Sequence, residues 1–402
     1  MVIASGAGTE ADVVAIEATL APMARHAAEK FGLAEFRVAV LYDWSSADDA
    51  VESGYAAAVD AVREAAVHGP AIVVPFNFSQ RLTTMMADWT RLEGELQSID
   101  GARFDGAGVI PHPNVVRWMI RSANEHLPLA ADEIGVILVP HGSDYNWNES
   151  MRDAMAPIRE QYVTEDAFSM VDPYVVERAV RRLEKRGMKA AVLVRIFSLE
   201  SSFKEQAEYI LGLRPEYRGP HAERISSHLR FATVGGMEAH PLLAEAMLDR
   251  ALEISQDPRK ETVVLVAHGT GGDAQNEHWM QNLETIANHI REHGPGFRDV
   301  KVQTLREDWP EKRKASIESI RGMVEEASED GGIALVVPVR TIGQGPEGGF
   351  LDGLTYRHGT GFAPHANFVR WLGETIENGV SMLNEPTPTR AAAAAGALHS
   401  HH

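Results

Sequence analysis

The chain repeats itself with a period near 127 residues, so whatever it folds into must be a unit of that size used more than once. Pro111-His112-Pro113-Asn114-Val115-Val116-Arg117-Trp118 returns as Pro364-His365-Ala366-Asn367-Phe368-Val369-Arg370-Trp371, 253 residues later and identical at six of eight positions. Val136-Ile137-Leu138-Val139-Pro140-His141-Gly142-Ser143 returns as Val263-Val264-Leu265-Val266-Ala267-His268-Gly269-Thr270, 127 residues later. Twice 127 is 254, so one period serves both pairs. It also places a middle copy of the first motif near residue 239, where Ala239-His240-Pro241-Leu242 stands. The opening Val2-Ile3-Ala4-Ser5-Gly6-Ala7-Gly8 begins a copy that carries Ser5 where the others carry histidine. Three modules result, at residues 1–130, 131–258 and 259–383. The remainder, 384–402, with its Pro-Thr-Pro-Thr-Arg and alanine run, reads as a disordered tail.

Each module has the same internal order, clearest in the third. Residues 262–267 are a continuous apolar, β-branched run of the kind that fills a strand buried on both faces. A helix is predicted over 276–292, a strand over 300–305, a helix over 314–327, a strand over 333–339 and a last helix over 365–376. Module one repeats the pattern with 37–41, 51–67 and 71–76, and module two with 135–139, 173–186 and 190–196. Strand–helix alternation at this spacing predicts an α/β fold in which each module is a parallel four-stranded sheet flanked by helices.

Composition removes several classes of function. With no cysteine, disulfides, zinc–thiolate sites, iron–sulfur clusters and thiol nucleophiles are excluded. Lys+Arg is 38 against 57 for Asp+Glu, a formal charge of -19, which argues against nucleic acid and anionic lipid as partners. The apolar runs are far shorter than a membrane span requires, and residues 1–9 show no signal-peptide pattern, so a cytoplasmic location is expected.

His141 and His268 each sit one residue past a first strand, followed by glycine and a hydroxyl residue. In open α/β sheets that is where ligands bind. The plainer reading is a turn histidine bonding a carbonyl; two copies at equivalent positions favour function. Three other readings compete. Gly269-Thr270-Gly271-Gly272-Asp273-Ala274 fits a dinucleotide loop, but module two has Ser143-Asp144-Tyr145 there and no acid ends a second strand at the required distance. Arg357-His358-Gly359-Thr360 resembles a histidine-phosphatase segment but lies late in its module. His-Gly after a strand also occurs in α/β-hydrolases, yet the chain has no G-x-S-x-G.

The layout resembles the class II chelatases: the sirohydrochlorin cobalt and iron chelatases, the nickel chelatases and the ferrochelatases. The likeness lies in the strand–His-Gly-Ser–Asn–helix openings of Val136–Asn148 and Val263–Asn276. It extends to acid and proline after a second strand (Glu307-Asp308-Trp309-Pro310, Asp172-Pro173), to proline in an apolar third strand (Val336-Val337-Pro338-Val339, Val73-Val74-Pro75-Phe76) and to the helix after Ala-His-Pro. The resemblance implies insertion of a divalent metal, Co2+, Fe2+ or Ni2+, into a tetrapyrrole such as sirohydrochlorin on the way to cobalamin or siroheme. The metal is a substrate and no organic cofactor is implied.

Single-module chelatases carry a second metal histidine after strand three. Here residues 198–205 and 341–348 have none, but each has a glutamate, as ferrochelatases do. The resemblance therefore implies His268 with Glu347, and His141 with Glu200, as metal ligands, with His268, Glu347 and His141 catalytic. Arg195, Arg340, Ser143 and Thr270 are the candidate substrate-binding residues, the arginines as anchors for ring carboxylates; Asn77 stands at the matching place in module one. Imidazole and carboxylate suit both tasks, removing pyrrole protons and presenting a nitrogen- and oxygen-preferring cation. Trp118 and Trp371 read as packing residues, Asp43 and Asp308 as turn or cap residues. The alternative function is a non-catalytic metal- or tetrapyrrole-binding protein derived from the same fold. Three modules leave one face without a partner in its own chain, so a homodimer through module one is expected, or else a role for it as lid or scaffold.

Overall fold

The computed structural model describes residues 2–42, 46–76, 89–104, 113–125, 127–220 and 223–385. Asp43, Asn77, His112 and the tail from residue 386 lie outside them, as does the side chain of Ser5. The chain divides into two compact units, Met1–Met119 and Ile120–His402.

The first unit runs β1 (Val2–Ala7), α1 (Glu10–Phe31), β2 (Val38–Tyr42), α2 (Asp48–His68), β3 (Ala71–Phe76), α3 (Trp89–Gln97) and β4 (Ala102–Phe104), then enters α4 (Pro113–Asn124), which crosses into the second unit. The strands are parallel in the order β2-β1-β3-β4. Ile3 stands opposite Pro75 as Val266 stands opposite Pro338, so the register puts Ser5 at the place of His268.

The second unit holds two more copies of that sheet. One is β5 (Ile134–Pro140), α5 (Tyr145–Met155), β6 (Val163–Asp166), α6 (Pro173–Lys185), β7 (Ala190–Ile196), α7 (Lys204–Ile210), β8 (Arg230–Gly235) and α8 (Pro241–Ile254). The other is β9 (Glu261–Ala267), α9 (Asp273–His293), β10 (Asp299–Thr304), α10 (Pro310–Ala327), β11 (Ile333–Val339), α11 (Glu347–Phe350), β12 (Tyr356–His358) and α12 (Ala366–Asn384). Their orders, β6-β5-β7-β8 and β10-β9-β11-β12, repeat that of the first unit, again all parallel. The architecture is thus three tandem α/β modules, each a four-stranded parallel sheet flanked by helices. No helix among the described residues is long and apolar enough to cross a membrane.

β5, β7 and β9 are buried along their whole length, as their unbroken apolar sequences require. In modules two and three the outer face packs under α6 and α10 respectively. The inner faces share one core, and they share it by exchange. α8, the closing helix of module two, lies on β11 and α9 of module three, while α12 lies on β7, β8 and α5 of module two. The repeated histidine motif begins both closing helices. His240 Nδ1 accepts from the Leu242 amide at 3.3 Å and His365 Nδ1 from the Asn367 amide at 3.1 Å, capping α8 and α12. Each ring then turns Nε2 to an acid on the other helix, Glu374 at 3.6 Å and Asp249 at 3.3 Å. Arg250 of α8 bonds the carbonyls of Gly361, Phe362 and Pro364 ahead of α12.

Candidate functional site

In each module the first strand has the second on one side and the third on the other, so the chain's direction across the sheet reverses beside it. The crevice past the carboxyl ends of the first and third strands is the switch point where such sheets take ligands. His141 and His268 stand there, at the ends of β5 and β9.

Both histidines sit on the same built turn. Gly142 and Gly269 have φ of 81° and 77°, the left-handed region that glycine enters without strain. A Cβ on Gly269 would also lie 2.8 Å from Thr304 and 2.9 Å from the Arg306 nitrogen. The next residue is held by an asparagine of the following helix: the Ser143 amide donates to Asn148 Oδ1 at 2.9 Å, and the Thr270 amide to Asn276 Oδ1 at 3.2 Å. Each imidazole Nδ1 lies 2.7–2.8 Å from the carbonyl of its own glycine. A carbonyl only accepts, so Nδ1 carries the proton and a neutral ring has its lone pair on Nε2. The turn thus sets the tautomer as well as the position.

The two copies differ in what meets Nε2. Around His268, Asp308 Oδ2 lies at 3.4 Å and Glu307 Oε2 at 3.9 Å. Glu307 also accepts from Arg340 Nη2 at 3.1 Å. Trp279 stacks on the imidazole with centroids 6.3 Å apart, and Trp309 meets it edge-on at 6.5 Å. Arg306, at a φ of 52°, turns the chain out of β10 toward the histidine, and its guanidinium holds the loop carbonyls of Thr270 and Gly271 at 2.8 and 2.6 Å. Around His141 no such ion pair is formed among the described residues; the Phe197 ring is its neighbour at 6.3 Å. Module two's corresponding acid, Asp172, caps α6 instead, accepting from the Tyr174 and Val175 amides at 3.0 Å. By contrast α10 begins at Trp309 without a side-chain cap, because the indole at the N-cap position has no acceptor, and Asp308, one residue earlier, faces the histidine. The acid-proline motif was visible in sequence; Asp308, expected as a turn or cap residue, lies in the turn ahead of α10 but does not cap the helix, and it faces the His268 ring.

The expected glutamates are elsewhere. Glu347 does not join His268: it is fully buried, and its Oε2 touches His358 Nε2 at 3.3 Å without a hydrogen bond of good geometry. Glu200 does not approach His141; Lys204 bonds its carboxylate at 2.5 Å, and that contact holds its pKa below the ordinary glutamate value. The two arginines are not equivalent. Register pairs Pro140 with Ile196 and Ala267 with Val339, so Arg195 occupies the place of Pro338 inside the sheet, and Phe197 the place of Arg340. Arg195 is accordingly buried, its donors directed to the carbonyls of Glu200, Ser202 and Gly235 and to Thr233 Oγ1, and burial pushes its pKa down. It ties the 200–202 loop to β8 rather than facing a ligand. Arg340 lies past its strand at the rim with Glu307. Thr270 Oγ1 bonds Gln275 at 3.0 Å, and Gln275 reaches Ser201 of module two at 3.2 Å. Arg357, in the segment whose likeness to a histidine phosphatase was set aside, lies 2.6 Å from the buried Glu261 and is itself half-buried.

No protein-family model matches the chain, and no curated protein sequence does either. Among solved structures it is similar to SirB from Bacillus subtilis, solved with Fe3+, at 14% identity and a TM-score of 0.47, over 61% of this chain and 95% of that one. It is also similar to DR2241 from Deinococcus radiodurans, described as a multi-domain protein with structural similarity to chelatases and two additional novel domains. That match has 18% identity and a TM-score of 0.43, over 67% of this chain and 60% of that one.

Proposed function

We propose that this chain is a metal chelatase that inserts a divalent cation (Co2+, Fe2+ or Ni2+) into a carboxylate-rich tetrapyrrole of the sirohydrochlorin type, with module three as its working centre. The observation that carries the reading is the His268 imidazole, fixed in one tautomer at the switch point with its basic Nε2 facing two carboxylates. Metal insertion releases two pyrrole protons. Once the cation has passed to the ring, Nε2 of His268 takes one, which Asp308, largely exposed, passes to solvent, and water takes the other. The incoming cation meets one nitrogen and one oxygen donor, a set that suits these metals without trapping them as thiolates would. Among the described residues no three His, Asp or Glu side chains converge on a common metal position, so water completes the shell of a cation in transit. Arg340 supplies the positive charge at the rim for a ring carboxylate. Thr270, and Ser143 in module two, act by holding the histidine turns.

The second reading is a protein of this fold that binds metal or tetrapyrrole without turnover. The lack, among the described residues, of an acid paired with His141 and the enclosure of Glu347 favour it. Incubation with sirohydrochlorin and Co2+ under anaerobic conditions, followed by absorbance, separates the two. Product formed over many equivalents, lost in His268→Ala, supports the chelatase. A spectral change that stops at one equivalent supports the binder.

A further inference from the structure

Module one carries both halves of an interface that modules two and three complete with each other. In the exchanged pair, the inner face of the third strand is covered by the other module's closing helix: Val192 and Val194 of β7, and Leu335 and Val337 of β11, are all fully buried. Gly379 of α12 sits so close to Val192 that a Cβ there would lie 2.3 Å from its side chain. The equivalent of Val194 and Val337 in β3, one residue before the proline that β3 shares with β11, is Val74, and it is 43% exposed. The closing helices match in the same way. Leu243, Ala246 and Met247 of α8 correspond to Phe368, Trp371 and Leu372 of α12, and all six are buried in the shared core. At the corresponding places α4 presents Trp118 and Met119, 52% and 57% exposed, beside Val116 and Ile120, also exposed.

The structure assigns this double vacancy to a second copy of the chain: α4 of one protomer lies on β3 of its partner, and the reverse, so that two first modules form the exchanged pair that modules two and three form within one chain. A self-complementary surface of this kind closes with two-fold symmetry. Charge agrees with it. α4 has Arg117 and Arg121 and no acid, Arg121 being paired with Glu125 at 3.4 Å, whereas α1, over its full length, has Glu10, Asp12, Glu17 and Glu29 against Arg25 and Lys30. In the intramolecular pair α8 lies along α9, the counterpart of α1, so the exchange would bring the basic helix to the acidic one.

Light scattering of the full chain at micromolar concentration tests this. The wild type is expected at twice 44.0 kDa. Trp118→Asp, on the helix, and Val74→Asp, on the sheet, should each fall to the monomer mass while keeping wild-type circular dichroism and the unfolding transition of the second unit. Both positions are exposed in the single chain, so the charge does not enter a core. Mixing the two variants is the decisive step. Such a pair restores one intact helix-on-sheet contact, so dimer reappears in the mixture although neither variant forms it alone. A wild type of 44.0 kDa at every concentration overturns the proposal. So does a dimer that survives both substitutions, or a mixture that stays monomeric, because each means that α4 is not exchanged onto β3.

Discussion

The His268 ring is aimed by its neighbours rather than by its own strand, and that determines what substitutions there should do. His268→Ala removes the base and should lower insertion by ~10²–10⁴-fold, whereas His141→Ala, at a ring with no acid beside it, should cost less than roughly tenfold. Steady-state rates with sirohydrochlorin and Co2+ check both, and equal losses would place the chemistry in both modules. Asp308→Asn should lower kcat and leave KM for the metal nearly unchanged if its role is proton removal. A second residue sets stability in acid. Glu261 is buried, which alone would raise its pKa, but the Ser255 hydroxyl, the Asp257 and Gln256 amides and Arg357 outweigh burial and hold it below the ordinary value. A carboxylate with a depressed folded pKa contributes stability that is fully present above the unfolded value, about 4.3, and is lost as pH falls through the folded one. The melting temperature of the second unit should therefore drop below about pH 4.3, with a shallower dependence in Glu261→Gln. An unchanged slope in that variant would assign the acid sensitivity to other carboxylates.

Among the elements, α12 depends on the absence of a side chain at Gly379. Gly379→Val would drive methyl groups into Val192 and should destabilise the second unit by about 1–3 kcal/mol, the usual cost of overpacking, read as a lower midpoint in urea. Most strands were legible in the sequence because strands buried on both faces must be unbroken apolar runs. The strand expected over 333–339 is β11, and that over 71–76 is β3. Helix ends were less legible: α12 was expected to stop near 376 and continues to Asn384, because its second half packs against a sheet from another module and no local signal encodes that. The same gap separates the expected site from the observed one. His268 was readable from its place after β9. Its partners were not, since Asp308 reaches it only because Arg306 adopts a positive φ, and Glu347 faces His358 across a loop whose path sequence does not specify. Arg195 was misplaced by two residues of register, enough to move a guanidinium from rim to interior.

For the whole molecule, shared cores set the units of cooperativity. Modules two and three draw on one core and should unfold together, while the first unit has its own core under α2 and α3. Calorimetry should resolve two transitions, with Gly379→Val moving only the one that belongs to the second unit; a single peak shifted as a whole would show the units to be coupled. Within that unit, Glu238 of module two, just past β8, reaches across to α9 and accepts from His278 at 2.9 Å and from Asn282. α9 is also the helix whose Asn276 holds the histidine turn, about one and two-thirds turns before Asn282. The aim of the imidazole in one module is therefore tensioned by a carboxylate in the other, as a mooring line holds a mast it does not touch. A change of chemistry at His268 need not begin with a substitution inside the crevice: Glu238→Ala, which releases His278 and Asn282 of α9, is expected to lower activity through the ring it never touches.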